Sequence, residues 1–501
     1  MQSQHFDVLI IGAGLSGIGT ACHLSRECPD KRFAILERRD NVGGTWDLFR
    51  YPGIRSDSDM FSFGFKFRPW NGLKVLADGP SIRQYIGDTA AEFGVHDKIH
   101  FGVDLADANW CSAQRRWTLQ AADTKSGAPR RYTCDYLISC TGYYDHHQGY
   151  TPEFSGIKQF KGQFIHPQQW PENLHYRGKK VVVIGSGATA VTLVPAMAED
   201  AEHVTMLQRS PTYVLSIPAY DKLSEILQKF LPESWVFRMA RWRNIKLQRW
   251  MFKVSKRWPK LMRALYLRGV RKGLGEDFDM RHFTPDYMPW DQRLCAIPDS
   301  DLFDVIKTGK ASVVTDEIDA FTKEGIRLKS GEELEADIVI SATGLKVQVL
   351  GGMQLRVDGE PVIINRKLTY KAVLMEGVPN MSWIFGYTNA PWTLKADIAA
   401  RYVCRLLNHM GRNNQRVSVA IDREDCAEDT SVMSALQSGY VQRGNDVLPR
   451  QGRKYPWRLL NDYEKDAKIL LEAPLEDGIL QFYSDAKTDL HFAVEAETSA
   501  G

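Results

Sequence analysis

Two apolar strand runs each pass through a glycine-rich turn into a helix, and two later strands each end in Thr-Gly. Together these features predict an α/β fold made of two Rossmann-like units. A long basic stretch with apolar residues at helical spacing, within about 218–290, adds a helical insertion to the second unit.

The 501 residues are enough for two or three domains, and 44% apolar and 25% charged residues are ordinary for a globular protein. No apolar run reaches the roughly 18–20 residues of a membrane span. The N-terminus enters a strand almost at once, without a basic region or cleavage site, so no signal peptide is expected. Eight cysteines are scattered and none forms a C-x-x-C pair. The expectation is free buried thiols in a cytoplasmic, reducing compartment, with no metal site.

In the first unit the strand Phe6 to Ile11 leads into Gly12-Ala13-Gly14-Leu15-Ser16-Gly17, a helix to about Glu27, and a second strand, Phe33 to Leu36, ending in Glu37. Strand, G-x-G-x-x-G, helix, strand and an acid some twenty residues on is the full dinucleotide fingerprint. Gly12 permits the turn, Gly14 lets backbone approach a pyrophosphate, and Gly17 lets helix and strand pack closely. The helix N-terminus offers unpaired N–H groups to the phosphates, and Glu37 is placed to hold ribose hydroxyls.

The second unit repeats the pattern with Ala for the third glycine. Lys180 to Ile184 leads into Gly185-Ser186-Gly187-Ala188-Thr189-Ala190, a helix to about Ala198, and a strand, His203 to Leu207, ending in Gln208-Arg209-Ser210. The ribose-binding acid is missing. A carboxylate would repel a 2′-phosphate, whereas Arg binds one bidentately, so Arg209 with Ser210 points to NADPH over NADH.

The closing strands are Asp135 to Gly142 and Asp337 to Gly344, each an acid, an apolar run, then Thr-Gly. The N-terminal site is expected to hold FAD. The expected plan is an FAD domain from 1–150 and 345–501, and an NADP domain from 151–344 carrying the insertion. Gly386 to Ala390, before a helical run from Thr393 to Leu407, should return to the flavin. Two nucleotide sites imply hydride passing from NADPH to FAD. A disulfide reductase would need a cysteine pair beside the flavin, which leaves O2, a quinone or a protein as the next acceptor.

Two further motifs narrow the choice. Residues 43–57 read GGTWDLFRYPGIRSD, and 160–171 read FKGQFIHPQQWP. They match at every fixed position G-G-x-W-x4-Y-P-G-x3-D and F-x-G-x3-H-x3-W-P, and the sequence here resembles the type I Baeyer–Villiger monooxygenases. The likeness runs along nearly the whole chain. It is strongest to the ethionamide-activating branch, through segments such as VTMLQRSPTY, PWDQRLC and GYTNAPWTLKAD.

The resemblance implies that reduced flavin reacts with O2 to give a ring peroxide. That peroxide turns ketones into esters or lactones, or oxidises sulfides and thioamides. Negative charge develops in a dry pocket, which calls for a fixed cation. The matching residue is Arg293, oriented by Asp57. The first motif implies FAD contacts from Thr45, Trp46, Asp47, Leu48 and Asp57, and NADP contacts from Arg55 and Ser56. Gly162, His166 and Trp170 of the second motif belong to the linker between the domains, where they affect coupling rather than acid–base chemistry. Many family members carry Lys before the catalytic Arg; here that position is Gln292, so NADPH selectivity falls on Arg209 and Ser210. A flavin monooxygenase confined to N- or S-oxygenation, or a non-catalytic redox-sensing flavoprotein, would share both nucleotide sites.

From Val236 to Lys272 there are thirteen Lys or Arg and no Asp or Glu, with three Trp interleaved. This composition suits a helix pair lying on an anionic membrane surface, and equally a packed subdomain with a solvated basic face. The stretch has no nucleic-acid recognition motif. The remaining partners expected are O2 and a small ketone or sulfide.

Overall fold

The computed structural model describes residues 4–292 and 294–484. Its first unit is built on β1 (Gln4–Ile11), α1 (Leu15–Glu27), β2 (Phe33–Leu36) and β3 (Ile99–His100). These are followed by β4 (Val103–Cys111), β5 (Arg116–Asp123) and β6 (Pro129–Ser139). β6, β1, β2 and β3 lie side by side in parallel, while β4 and β5 fold against β6 as an antiparallel ribbon. β1 is apolar on both faces, as a central parallel strand covered on both sides must be: Val8 and Ile10 enter one core, Leu9 and Ile11 the other.

The second unit is a five-stranded parallel sheet. It comprises β7 (Gln163–Ile165), β8 (Lys180–Ile184), β9 (His203–Gln208), β10 (Ala311–Thr315) and β11 (Ile338–Ser341), in the order β10-β9-β8-β11-β7. α2 (Ala188–Met197) is the crossover between β8 and β9. Between β9 and β10, ahead of a short helix at Asp301–Lys307, rise α3 (Lys222–Gln228), α4 (Glu233–Arg257) and α5 (Pro259–Leu274). They occupy the stretch where the sequence predicts an insertion. The α/β fold with two Rossmann-like units is therefore the one the sequence predicts.

After β11 the chain rejoins the first sheet. Met381–Trp383 pairs in parallel with β6, and α6 (Trp392–Arg412) packs on α1. That packing buries a charge cluster. The His23 ring bonds Asp397 at 2.8 Å and Glu27 at 2.9 Å. Burial alone would push the His23 pKa down, but the bonds to Asp397 and then Glu27 outweigh it and hold it raised.

The chain crosses between units twice, and the two crossings pair with each other. Asp145 N–H donates to Lys346 O at 2.8 Å, Gln348 N–H to Tyr143 O at 3.1 Å, and Tyr150 N–H to Gly344 O at 3.1 Å. No helix among the described residues is long and apolar enough to cross a membrane. None of the eight cysteines is in a disulfide, and seven of them are buried.

Candidate functional site

A cavity of about 900 Å³ opens at the C-terminal ends of β1, β2 and β6, where parallel sheets bind ligands. Its floor is the glycine turn. A Cβ on Gly17 would sit 1.8 Å from Gly12 O, so no larger residue fits between turn and helix. Gly14 is the N-cap of α1 and brings no side chain to the helix terminus, which leaves the first-turn N–H groups for a ligand. Ser16 lines the cavity and accepts from Trp392 Nε1–H at 2.8 Å, tying the floor to α6.

Glu37 lies in the cavity wall but is already engaged. Its Oε2 accepts from Ala13 N–H at 2.6 Å and its Oε1 from Arg39 N–H at 2.8 Å. Burial raises its pKa, against the pull of those backbone bonds. Each carboxylate oxygen retains a second lone pair for a hydroxyl donor.

Residues of the first long motif divide between three tasks. Thr45, Trp46, Ser56 and Asp57 line the cavity. Asp47 does not: it is fully buried, and its carboxylate is held by Arg39 at 2.7 Å, Arg50 at 2.6 Å and Arg83 at 3.1 Å. Its role is to lock the loop that carries Thr45 and Trp46. Leu48 packs against the core of the second unit, with Phe49, Tyr51 and Ile54.

The Y-P-G step is one contact between units. Gly53 has φ +76°, and a Cβ there would lie 2.3 Å from Thr192 O on α2. Arg55 donates to Asp301 at 2.6 Å and to Val191 O at 3.4 Å, so its guanidinium clamps the units together.

The second long motif sits at the crossing. His166 Nδ1 accepts from Gln168 N–H at 3.2 Å, which leaves the proton on Nε2 to donate to Gly344 O at 3.2 Å. Burial lowers the His166 pKa, against the Gly344 bond, so this tautomer is the neutral ring. Gln168 donates to Asp145 O at 2.7 Å. Gly162 lets β7 pass Asp337 O, which a Cβ would meet at 2.4 Å, and Trp170 packs on the core around α2.

The second glycine turn, Gly185 to Ala190, lies outside this cavity on an open face, with Gly187 and Ala188 exposed. Ser186 Oγ donates to Ser210 O at 3.0 Å, joining the turn to the end of β9. Arg209 and Ser210 are exposed there, while Gln208 turns inward and donates to His282 O at 2.7 Å. Arg209 also lies near enough to Glu317 to help Lys329, the larger influence, hold that carboxyl low.

Asp57 accepts from Ser58 Oγ at 3.4 Å and has no ion pair among the described residues. Arg293 lies outside the described residues; Trp290 and Leu294 on either side of it line the cavity with Asp57. Gln292 forms a bridge with Pro289 in the turn that precedes Arg293.

The walls add residues the sequence does not single out. Tyr143 stacks on Trp392 with centroids 5.1 Å apart. His146 is held down to about 4 by burial, with Arg38 and Arg39 adding to it, and is neutral near pH 7. Cys140 also lines the cavity, its thiol pushed up to about 12 by burial, so it is no thiolate nucleophile. Trp290 Nε1 and Asn389 Oδ1 are buried without a partner among the described residues, and both belong to cavity-lining side chains. A cavity of this size, with an uncapped helix N-terminus and orphaned polar atoms, fits a large polar–aromatic cofactor.

Comparison with known proteins agrees with this geometry. The model of the flavin-binding monooxygenase-like family matches residues 76–349, and that of a NAD(P)-binding Rossmann-like domain matches residues 10–71. The putative FAD-containing monooxygenase MymA of Mycobacterium tuberculosis is 61% identical over 490 residues, covering 97% of this chain and 99% of that one. The FAD-containing monooxygenase EthA of the same species is 48% identical over 483 residues, 96% of this chain and 98% of that one. An oxidized steroid monooxygenase bound to NADP shares the fold, with a TM-score of 0.77 at 19% identity over 96% of this chain and 100% of that one. The chain belongs to the flavin-binding monooxygenase-like family.

Proposed function

We propose that the chain is an FAD- and NADPH-dependent monooxygenase of Baeyer–Villiger type. It would convert a ketone, O2, NADPH and a proton into an ester or lactone, water and NADP+. The observation that carries the reading is the meeting of Asp57 with Trp290 and Leu294, the neighbours of Arg293, in the cavity floored by Gly12, Gly14 and Ser16. Bound FAD supplies the redox chemistry that activates O2.

Gly12 to Gly17 and the N-terminus of α1 would hold the FAD pyrophosphate, with Glu37 at the ribose and Thr45 and Trp46 along the ring side. Ser186, Arg209 and Ser210 would hold NADPH on the open face, Arg209 by its charge on the 2′-phosphate. Arg293 would stabilise the negative charge that develops at the carbonyl oxygen, and Asp57 would fix the guanidinium's direction. Asp47, Arg55 and His166 would act as positioning residues. They hold the cavity loop and the seam between units, and none would touch substrate.

Incubation with NADPH and a panel of linear, cyclic and aryl ketones and thioethers, with product identification by mass, tests this. Ester formation supports the reading. Sulfoxide without ester from any ketone assigns the chain to N- or S-oxygenation, and no substrate-dependent NADPH consumption assigns it to a redox sensor.

A further inference from the structure

The insertion does more than pack. Its helices have one buried side: Phe237, Arg241 and Ile245 on α4, and Met262, Tyr266 and Val270 on α5. Arg241 is a structural cation, donating to the carbonyls of Phe61, Ser62 and Gly64. Arg243, Lys246, Arg249 and Lys256 are also taken up, by Asp221, Glu464, Asp462 and Asp291. The charge free to meet a partner is therefore smaller than the sequence suggests. What remains is concentrated: Lys253, Arg257, Lys260, Arg263, Arg268 and Lys272 have no ion pair among the described residues, and Arg238 lies over the Trp235 ring at 4.8 Å.

The outer side is apolar and cationic together. On α4, Trp235, Met239, Trp242 and Trp250 recur at i, i+4, i+7 and i+15, and Lys253 and Arg257 continue the same stripe. On α5, Leu261 and Leu265 are followed on one face by Arg268 and Lys272. Phe230, just beyond α3, is 79% exposed and Trp242 is 66% exposed. Soluble surfaces do not ordinarily gather so many large apolar side chains, and such a gathering marks a docking face.

The cavity is continuous with this face. Tyr220 and Leu247 are 58% and 49% exposed, and both also line the cavity.

We propose that α3 to α5 dock the protein on an anionic lipid bilayer, with the cavity mouth at Tyr220 and Leu247 turned toward the lipid. Trp, Phe and Leu side chains would enter the acyl boundary while the unpaired Lys and Arg meet anionic headgroups. Charge decides against a second copy of this chain. A second copy on the same face would set the cations against themselves. A molecule dissolved in the bilayer would then reach the cavity without passing through water, which makes apolar, membrane-partitioning compounds the substrate class. The substrate class rests on the oxygenation reading; the docking and its test do not.

The test is flotation of the FAD-loaded protein with phosphatidylcholine vesicles, with and without phosphatidylglycerol, at low and high salt. Flotation with the anionic vesicles should fall at least about tenfold at high salt, and equally in Lys253→Glu/Arg268→Glu, while Trp242→Ser/Trp250→Ser weakens it at both salts. A bimane fluorophore on Leu247→Cys, in a chain whose native thiols are buried except half-buried Cys111, reads the mouth. It should be quenched by nitroxide-labelled lipid on docking. No flotation at low salt, equal flotation on neutral vesicles, or Trp-dependent self-association without lipid each overturns the docking. Flotation without bimane quenching overturns the placement of the mouth. FAD content and Tm of each variant separate loss of docking from loss of fold.

Discussion

His166 and Gly344 are joined by one hydrogen bond of 3.2 Å from Nε2–H to the carbonyl, and that bond fastens the second long motif to the point where the chain leaves the second sheet. His166→Ala removes it and the bond from Gln168 N–H, each worth about 0.5–1.5 kcal/mol. We expect FAD content to be retained, Tm to fall by several degrees, and the ratio of product to NADPH consumed to drop. An unchanged ratio would reduce His166 to a stability role.

Two histidines, buried His23 and half-buried His166, act on stability with opposite signs. His166 has a lowered pKa, so its contribution is complete above the unfolded value of about 6.5 and is lost as pH falls toward the folded value. His23 has a raised pKa, so its contribution is complete below about 6.5 and is lost as pH rises through the folded value. Denaturation midpoints across pH should show His23→Gln losing least relative to wild type on the alkaline side, and His166→Gln losing least on the acid side. His23→Ala, which leaves Asp397 buried without its partner, should cost about 3–5 kcal/mol near neutral pH.

Gly53→Ala should be costly, although it adds only a methyl group. The backbone is left-handed at φ +76° and the new carbon would press on Thr192 O. A loss above about 1 kcal/mol is expected from denaturant melts, together with reduced turnover, because the strain falls on the seam between units.

Arg209→Ala should lower kcat/KM for NADPH by about 10–100-fold, as loss of a charged hydrogen bond of about 1.5–3 kcal/mol requires, and leave the NADH value unchanged. Steady-state kinetics with both donors checks this. Comparable wild-type values for NADH and NADPH would remove the 2′-phosphate role of Arg209.

Arg293→Ala should leave flavin reduction by NADPH intact and lower ester formation by about 10²–10³-fold. Asp57→Ala, acting through the direction of the guanidinium, should cost less. Stopped-flow reduction and product analysis separate the two steps, and retained oxygenation in Arg293→Ala would take that residue out of the mechanism.

The fold was legible because its signals are local. The glycine turn, the strand before it and α1, which ends at Glu27 as the helical pattern predicts, all lie within one short stretch. The limits of a motif reading appear at Asp47 and Arg55. Both belong to a pattern that implies cofactor contacts, yet Asp47 is consumed by Arg39, Arg50 and Arg83, and Arg55 by Asp301. The partners of Asp47 lie 3, 8 and 36 residues away and that of Arg55 lies 246 away, and in an irregular loop none of these spacings marks a pair. The same holds for the wall formed by Tyr143, His146 and Trp392, which meet only after the chain has left the first sheet and returned. The basic stretch needed three dimensions for another reason: sequence counts cations, and only the folded chain shows which have already found an acid.

The paired crossings between units make a single axle rather than two separate tethers. Turning the second unit about that axle leaves the bonds of Asp145, Tyr150 and Gln348 in place, whereas sliding it along or pulling it away breaks all three. The insertion adds a latch away from that axle: Val75 N–H donates to Ala219 O at 2.7 Å, Asp221 N–H to Leu73 O at 3.0 Å, and Arg241 to the carbonyls of Phe61, Ser62 and Gly64. Drift is therefore opposed at the axle and at the latch, and swing only at the latch, so the seating of α4 on the first unit decides whether the open face can turn toward the cavity.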